Sequence, residues 1–268
     1  MADQYRNRGL DEALIDRFEL AVRKVEELAF RQADIWIFPS EEALEPYKQT
    51  IPDFADWMKN KDVRYVATGA MPARRTAANN PLYQKIPGIS NYRVISFIGR
   101  HNSVKGYDIF IEAGMHFINS DENVLVIVAG APSDEFPSPV HPRWIELGWY
   151  PNPGDIFDVS DIFILPNRMT YYDLVLIEAL SSGVNIVASA TGGNKSVYAL
   201  TEGAIRLFDG TTSDLVRNVN AILHSGSQPV SHRSKRIEST YSKYFTPRQF
   251  AERYNRVVDA IHSEYINR

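Results

Sequence analysis

From Arg93 onward the chain alternates short apolar runs of strand type with longer stretches of helical spacing, and this alternation restricts the fold more than any other feature. Arg93–Ile98, Val124–Gly130, Ile145–Gly148, Asp161–Pro166, Asn185–Ser189 and Ala204–Phe208 read as strands. Tyr107–Ile118, the apolar stretch through Leu174–Leu180, Lys195–Thr201 and Ser213–His224 read as helices. Two more helices, Arg233–Tyr244 and Pro247–Tyr265, are divided by the Thr246-Pro247 start signal. Strands joined by helix-length crossovers pair in parallel rather than as hairpins, with helices covering both faces. The expected class is α/β, a doubly wound parallel sheet.

Within that alternation Glu178 stands out as a lone carboxylate in an apolar helix. Leu174, Val175, Leu176, Ile177, Ala179 and Leu180 surround it, so the helix is expected to be buried all round. A buried charge is costly unless something pairs with it, which makes Glu178 a candidate ligand-facing carboxylate rather than a member of a solvent stripe. The strand Asp161–Pro166 runs directly into this helix. At such a junction the first helical amides point past the carboxyl end of the sheet and favour an anion, typically a phosphate. Upstream, the loop Gly99–Gly106 follows another strand and carries Arg100 and Lys105, two cations suited to a diphosphate. His101 between them reads as a solvated loop histidine.

Composition removes several rivals. The 268 residues are 44% hydrophobic with a net charge of -4, enough apolar material for at least one full core and no polybasic character, so nucleic-acid binding is not expected. There is no cysteine, and hence no disulfide, thiolate metal site or thiol nucleophile. The six histidines are scattered and no Asp-x-Asp motif is present, so no metal dependence is expected. No Gly-x-Gly-x-x-Gly turn follows a candidate strand, which leaves a dinucleotide dehydrogenase little support. The start MADQYRNRGLDEAL lacks the apolar core of a signal peptide, and no run is long enough to span a bilayer.

Taken in order, these stretches resemble the retaining GT-B glycosyltransferases, the large group 1 family that moves a sugar from a nucleotide-diphosphate donor. Ala33–Ser40 is similar to a late strand of the family's first domain, and Ala67–Met71 to the glycine turn into the linker. Gly99-Arg100 with Lys105-Gly106 resembles the phosphate-clamping loop, and Ile145–Gly148 the strand leading to the base pocket. Asp161–Pro166, the helix with Glu178-Ala179-Leu180, the Gly183 turn, Asn185–Ser189 and Thr191-Gly192-Gly193 complete the series. The resemblance implies a Rossmann-like donor domain and transfer with retention. Arg100, Lys105 and the amides near Tyr172, Leu174 and Val175 would stabilise the leaving diphosphate, and Glu178 would hold the ribose. Gly99, Thr170 and Asp173 would complete the donor site. Trp149 and Tyr150 are the aromatics placed to pack against the base, with ordinary packing as the alternative.

The family's signature here is a pair of glutamates with seven residues between them; Thr170 stands at the first position and Glu178 at the second. The glycine three residues after the first is replaced by Asp173, and Ser196 stands where the family often has a glutamate. Thr170 can hydrogen-bond a sugar hydroxyl and Asp173 can accept one. These departures keep open a non-catalytic sugar-nucleotide-binding partner of another transferase chain, and the shared scaffold keeps open a sugar-nucleotide epimerase. The expected partners are a nucleotide-sugar donor and a glycan or lipid-linked acceptor, in a cytoplasmic protein working peripherally at the inner membrane face, in polysaccharide biosynthesis.

The expected organisation is a partial acceptor-side segment over 1–68, a donor-binding domain over 69–246 and a C-terminal crossing helix over 247–268. Leu10, Leu14, Phe18, Val22, Val25 and Leu28 recur at helical spacing, so Gly9–Gln32 reads as an amphipathic helix. Strands at Ile35–Phe38 and Arg64–Ala67 follow, with Tyr47, Phe54 and Trp57 between them. So few elements cannot cover their own apolar faces, which invites a second copy or a separate acceptor subunit. A donor-domain piece of a longer enzyme is the other explanation of the short first domain.

Overall fold

The computed structural model describes residues 11–76, 79–224 and 234–266. In chain order the elements are α1 Glu12–Gln32, β1 Ile35–Phe38, α2 Glu45–Thr50, α3 Phe54–Met58, β2 Asp62–Tyr65, α4 Leu82–Lys85, β3 Arg93–Ile98, α5 Tyr107–Ser120, β4 Val124–Ala129, β5 Trp144–Glu146 and α6 Pro153–Val159. Then come β6 Ile162–Leu165, α7 Leu174–Ser182, β7 Asn185–Ser189, α8 Gly193–Leu200, β8 Arg206–Phe208, α9 Thr212–Leu223, α10 Lys235–Tyr244 and α11 Pro247–Ile266. They form two compact units. One holds the described residues up to Phe38 together with Tyr47–Tyr65; the other holds Pro39–Pro46 and the described residues from Val66 on.

The larger unit is built on a six-stranded sheet of order β5-β4-β3-β6-β7-β8, parallel throughout. Strand period sorts its side chains onto two faces. Ile95, Phe97, Val126, Val128, Ile162, Ile164 and Val187 pack with α5 and α9 on one face. Their sequence neighbours point the other way, Phe163, Leu165, Ile186 and Ala188 toward α7 and α10, and Val94, Leu125 and Ile127 toward α4 and α6. The doubly wound parallel sheet read from the sequence is therefore the observed fold. The helix α6 was not legible as one, because Asp155 and Asp158 interrupt its apolar pattern. Both are buried, and their charges are met by Thr76, Arg75, Asn152 and Tyr150.

The smaller unit pairs β1 with β2 in parallel, Ile35 opposite Asp62 and Phe38 opposite Tyr65. This register starts the second strand two residues before the expected Arg64 and ends it at Tyr65, so Ala67 lies outside it. Phe30, Trp36, Phe38, Tyr47, Phe54 and Trp57 form its aromatic centre, with Trp36 donating its indole N–H to the Phe30 carbonyl at 3.1 Å. On α1 only Ile15 is buried, and Leu14, Phe18, Val22, Val25 and Leu28 are exposed. Gly9 and Leu10, expected at the start of this helix, and Arg233, expected at the start of α10, lie outside the described residues. Among the described residues no helix is long and apolar enough to cross a membrane.

Candidate functional site

The strand order reverses between β3 and β6. In open α/β sheets the crevice beyond the carboxyl ends at such a reversal is where ligands bind. The loop leaving β3 and the loop leaving β6 are fastened to each other there. The Arg168 amide donates to the Val104 carbonyl at 3.0 Å, and the Arg168 guanidinium grips both oxygens of Asp108 at 2.5 Å each and the Ser103 carbonyl at 3.0 Å. Gly106 takes φ +64°, and a Cβ there would stand 1.8 Å from the Pro166 carbonyl oxygen. Only glycine permits this approach. The turn after β7 closes on the same loop, since a Cβ on Gly192 would stand 1.8 Å from the Thr170 carbonyl oxygen.

Lys105 and Asp173 meet across this crevice. The Lys105 ammonium lies 2.5 Å from Asp173 Oδ2, which also accepts from the buried Asn167 amide at 2.8 Å. Asp173 Oδ1 accepts the Val175 N–H at 3.3 Å, so this residue is the N-cap of α7. Glu178, about one turn further along α7, is half-buried, and its carboxylate has no hydrogen bond or ion pair among the described residues. Burial, and then the nearby charge of Asp173, push its pKa above the usual carboxylate range. Perturbed carboxylates of this kind collect at functional crevices.

The expectation that α7 is buried all round is corrected. Leu174 is 51% exposed and Val175 half-buried, so the first turn of the helix is open to solvent; Leu176, Ile177, Ala179 and Leu180 form the buried part. Gly99 continues the sheet contact by donating to the Ala129 carbonyl at 2.9 Å, and Arg100 next to it is exposed, with no side-chain partner among the described residues. Thr170 is buried. The Tyr172 hydroxyl is buried, and burial raises its pKa, the neighbouring Ser196 hydroxyl opposing in part. Trp149 is 78% exposed, whereas Tyr150 packs beside Ile156 and Leu125 and donates its hydroxyl to Asp155 at 3.1 Å; burial and that carboxylate raise its pKa to about 12.

His101 is also corrected. It is not solvated but 1% exposed, stacked on Tyr107 with ring centroids 3.8 Å apart, and neither ring nitrogen has a hydrogen-bond partner among the described residues. Its Nε2 lies 3.8 Å from Glu146, whose carboxylate accepts from Ser138 at 2.6 Å and from the Gly148 amide at 3.1 Å. Burial lowers its pKa, the Glu146 charge opposing in part. A loop position between two cations carried no sequence signal for this. Sequence reasoning also missed Asn167 and Arg168, whose polar types are ordinary in a turn, and Glu45. The Glu45 carboxylate accepts the Gly192 amide at 2.9 Å and the Lys195 ammonium at 2.7 Å.

Comparison with known proteins agrees with this architecture. Over 144 residues the chain is 30% identical to a D-inositol 3-phosphate glycosyltransferase of Corynebacterium aurimucosum, covering 48% of this chain and 32% of that one. The chain thus spans about a third of that curated relative. Among solved structures, sucrose-phosphate synthase from Thermosynechococcus elongatus superposes with a TM-score of 0.69 at 16% identity, over 90% of this chain and 61% of that one. Anabaena HepE, solved with UDP and glucose, gives 0.68 at 16% identity over 90% and 66%. These structures share the GT-B fold with the protein. The profile of the glycosyl transferases group 1 family matches residues 92–225, half of the chain and the part that carries the sheet, the two fastened loops and α7. On that match, the chain belongs to the glycosyl transferases group 1 family.

Proposed function

We propose that the larger unit binds the nucleotide-diphosphate sugar donor of a retaining hexosyltransferase, delivering the sugar to a glycan or lipid-linked acceptor. The observation that carries this reading is a half-buried Glu178, its carboxylate without a partner among the described residues, on the helix whose N-cap Asp173 meets Lys105 of the loop after β3. In this reading Arg100 and the amides of α7 meet the diphosphate and Glu178 accepts from the ribose hydroxyls. Negative charge grows on the leaving diphosphate as the anomeric bond breaks. Preorganised donors aimed at such charge are commonly worth about 3–4 kcal/mol each. The protein supplies no nucleophile in this scheme; Gly99, Thr170 and Tyr172 wall the sugar side, and Trp149 or Tyr150 the base side. HepE, a structural neighbour, has been solved with UDP-glucose, which supports a donor of that chemistry here.

A second reading, a sugar-nucleotide-binding subunit without turnover, is favoured by Thr170 at the family's first glutamate position and by the engagement of Lys105 with Asp173. The apolar face of α1 would then serve as the contact with an acceptor-binding subunit or a second copy. A panel of nucleotide sugars measured by thermal shift tests the site. Ligand at about 100 times its dissociation constant adds about 2.7 kcal/mol of stability. Arg100→Ala and Glu178→Ala each abolish the shift; variants that respond like the parent overturn the site. Nucleoside diphosphate released only when an acceptor is added separates the transferase from the binding subunit and from an epimerase.

A further inference from the structure

We propose that Asp173 governs donor affinity by holding the phosphate-binding groups with its own carboxylate, so that a diphosphate enters only by displacing that side chain. This rests on the reading of the crevice as a diphosphate site. A helix N-terminal amide together with a lysine ammonium is the donor set that a phosphate seeks. Here that set is already satisfied: Asp173 Oδ1 takes the Val175 N–H at 3.3 Å, and Oδ2 takes Lys105 at 2.5 Å and Asn167 at 2.8 Å. The arrangement is largely withdrawn from water, the Asp173 side chain being 9% and the Lys105 side chain 22% exposed. Solvent therefore screens little of the competition between this carboxylate and an incoming anion.

Lys105 is neutralised by Asp173, the Glu178 carboxyl lies within electrostatic reach of Asp173, and Arg100 has no side-chain partner among the described residues. A ligand with a terminal phosphate carries more charge than one whose phosphate is esterified to a neutral sugar. Asp173 thus rejects the bare nucleoside diphosphate more strongly than the nucleotide sugar, which favours donor over spent product. Discrimination by a built-in repulsion of this kind is a general route to specificity.

Asparagine caps a helix as well as aspartate does, so Asp173→Asn keeps the fold while removing the charge. Binding of uridine and guanosine diphosphates, of their glucose and mannose esters and of the unphosphorylated nucleosides is measured by calorimetry on the full chain and on this variant, with Asp173→Gly alongside. Affinity for the nucleoside diphosphates rises at least about tenfold in both variants, the sugar esters gain less, and the nucleosides are unchanged. A general loosening of the loop would move the nucleosides as well. Parent and variant affinities for the diphosphates that are equal, or a variant that binds them more weakly, overturn the role of Asp173 while leaving the site standing. If neither parent nor variants bind any phosphorylated ligand at millimolar concentration, the diphosphate site itself falls, and this inference with it.

Discussion

The helices α7 and α8 follow neighbouring strands of one sheet, and each starts against a carboxylate and a lysine, yet the two arrangements are made differently. At α7 the carboxylate is local: Asp173 caps its own helix and reaches Lys105. At α8 it comes from Glu45, 147 positions away from Gly192 in the chain, and the lysine, Lys195, belongs to the helix itself. A local cap can swing away at the cost of one side chain's contacts. A distant one ties down a segment, and here the turn Glu42–Leu44, with Ala43 and Leu44 buried, is held against the sheet unit. On the proposed reading of the site, the α7 start is the one that exchanges its carboxylate for a ligand, and the α8 start holds the architecture.

The largest effect that sharpens this contrast is expected at Gly192. The turn into α7 accommodates the Asp173 side chain, but a methyl group at Gly192 meets a backbone carbonyl and a φ of +46°. Overpacking and an unfavourable backbone together cost about 3 kcal/mol or more, so Gly192→Ala lowers the urea midpoint substantially. Glu45→Ala comes next. It leaves the Gly192 amide and Lys195 without their acceptor, in a pair that is partly exposed at 28% and 40%, and costs about 1–2 kcal/mol. Because the two starts act independently in this view, the stability loss adds to that of Asp173→Asn within about 0.5 kcal/mol. A large coupling energy between them breaks the comparison.

The smallest effect concerns Glu178→Gln. Burial and Asp173 raise the Glu178 pKa in the folded protein, so the proton is held more tightly folded than unfolded. The parent's stability from this group is fully present below the unfolded carboxylate pKa and is lost as pH rises through the raised folded value. At neutral pH the glutamine variant is therefore slightly more stable, by less than about 1 kcal/mol because solvent screens a half-buried group, and the advantage vanishes in acid. Thermal melts across pH 4–8 check the sign. A variant less stable than the parent at neutral pH would mean that Glu178 is held by an attractive partner rather than by an apolar wall.

The parallel strands were legible because their apolar runs are local and their connections are too long for hairpins. The switch-point loops were legible through Arg100, Lys105 and the glycine turns. What was not legible has a common cause. Helix α6 hides behind buried Asp155 and Asp158, whose partners Arg75 and Thr76 lie about eighty residues away. The buried His101 was invisible for the same reason, since its stacking on Tyr107 and approach to Glu146 exist only after folding.

Local composition alone thus determined the alternation of elements, the parallel sheet they form and the placement of a lone carboxylate on the helix after β6, since periodicity and turn chemistry act over a few residues. Tertiary structure decided which charges meet. Coulombic pairing depends on distance and solvent exclusion rather than on spacing in the chain, and so only the folded structure joined Lys105 to Asp173, left Glu178 without a partner among the described residues and brought Glu45 to the start of α8.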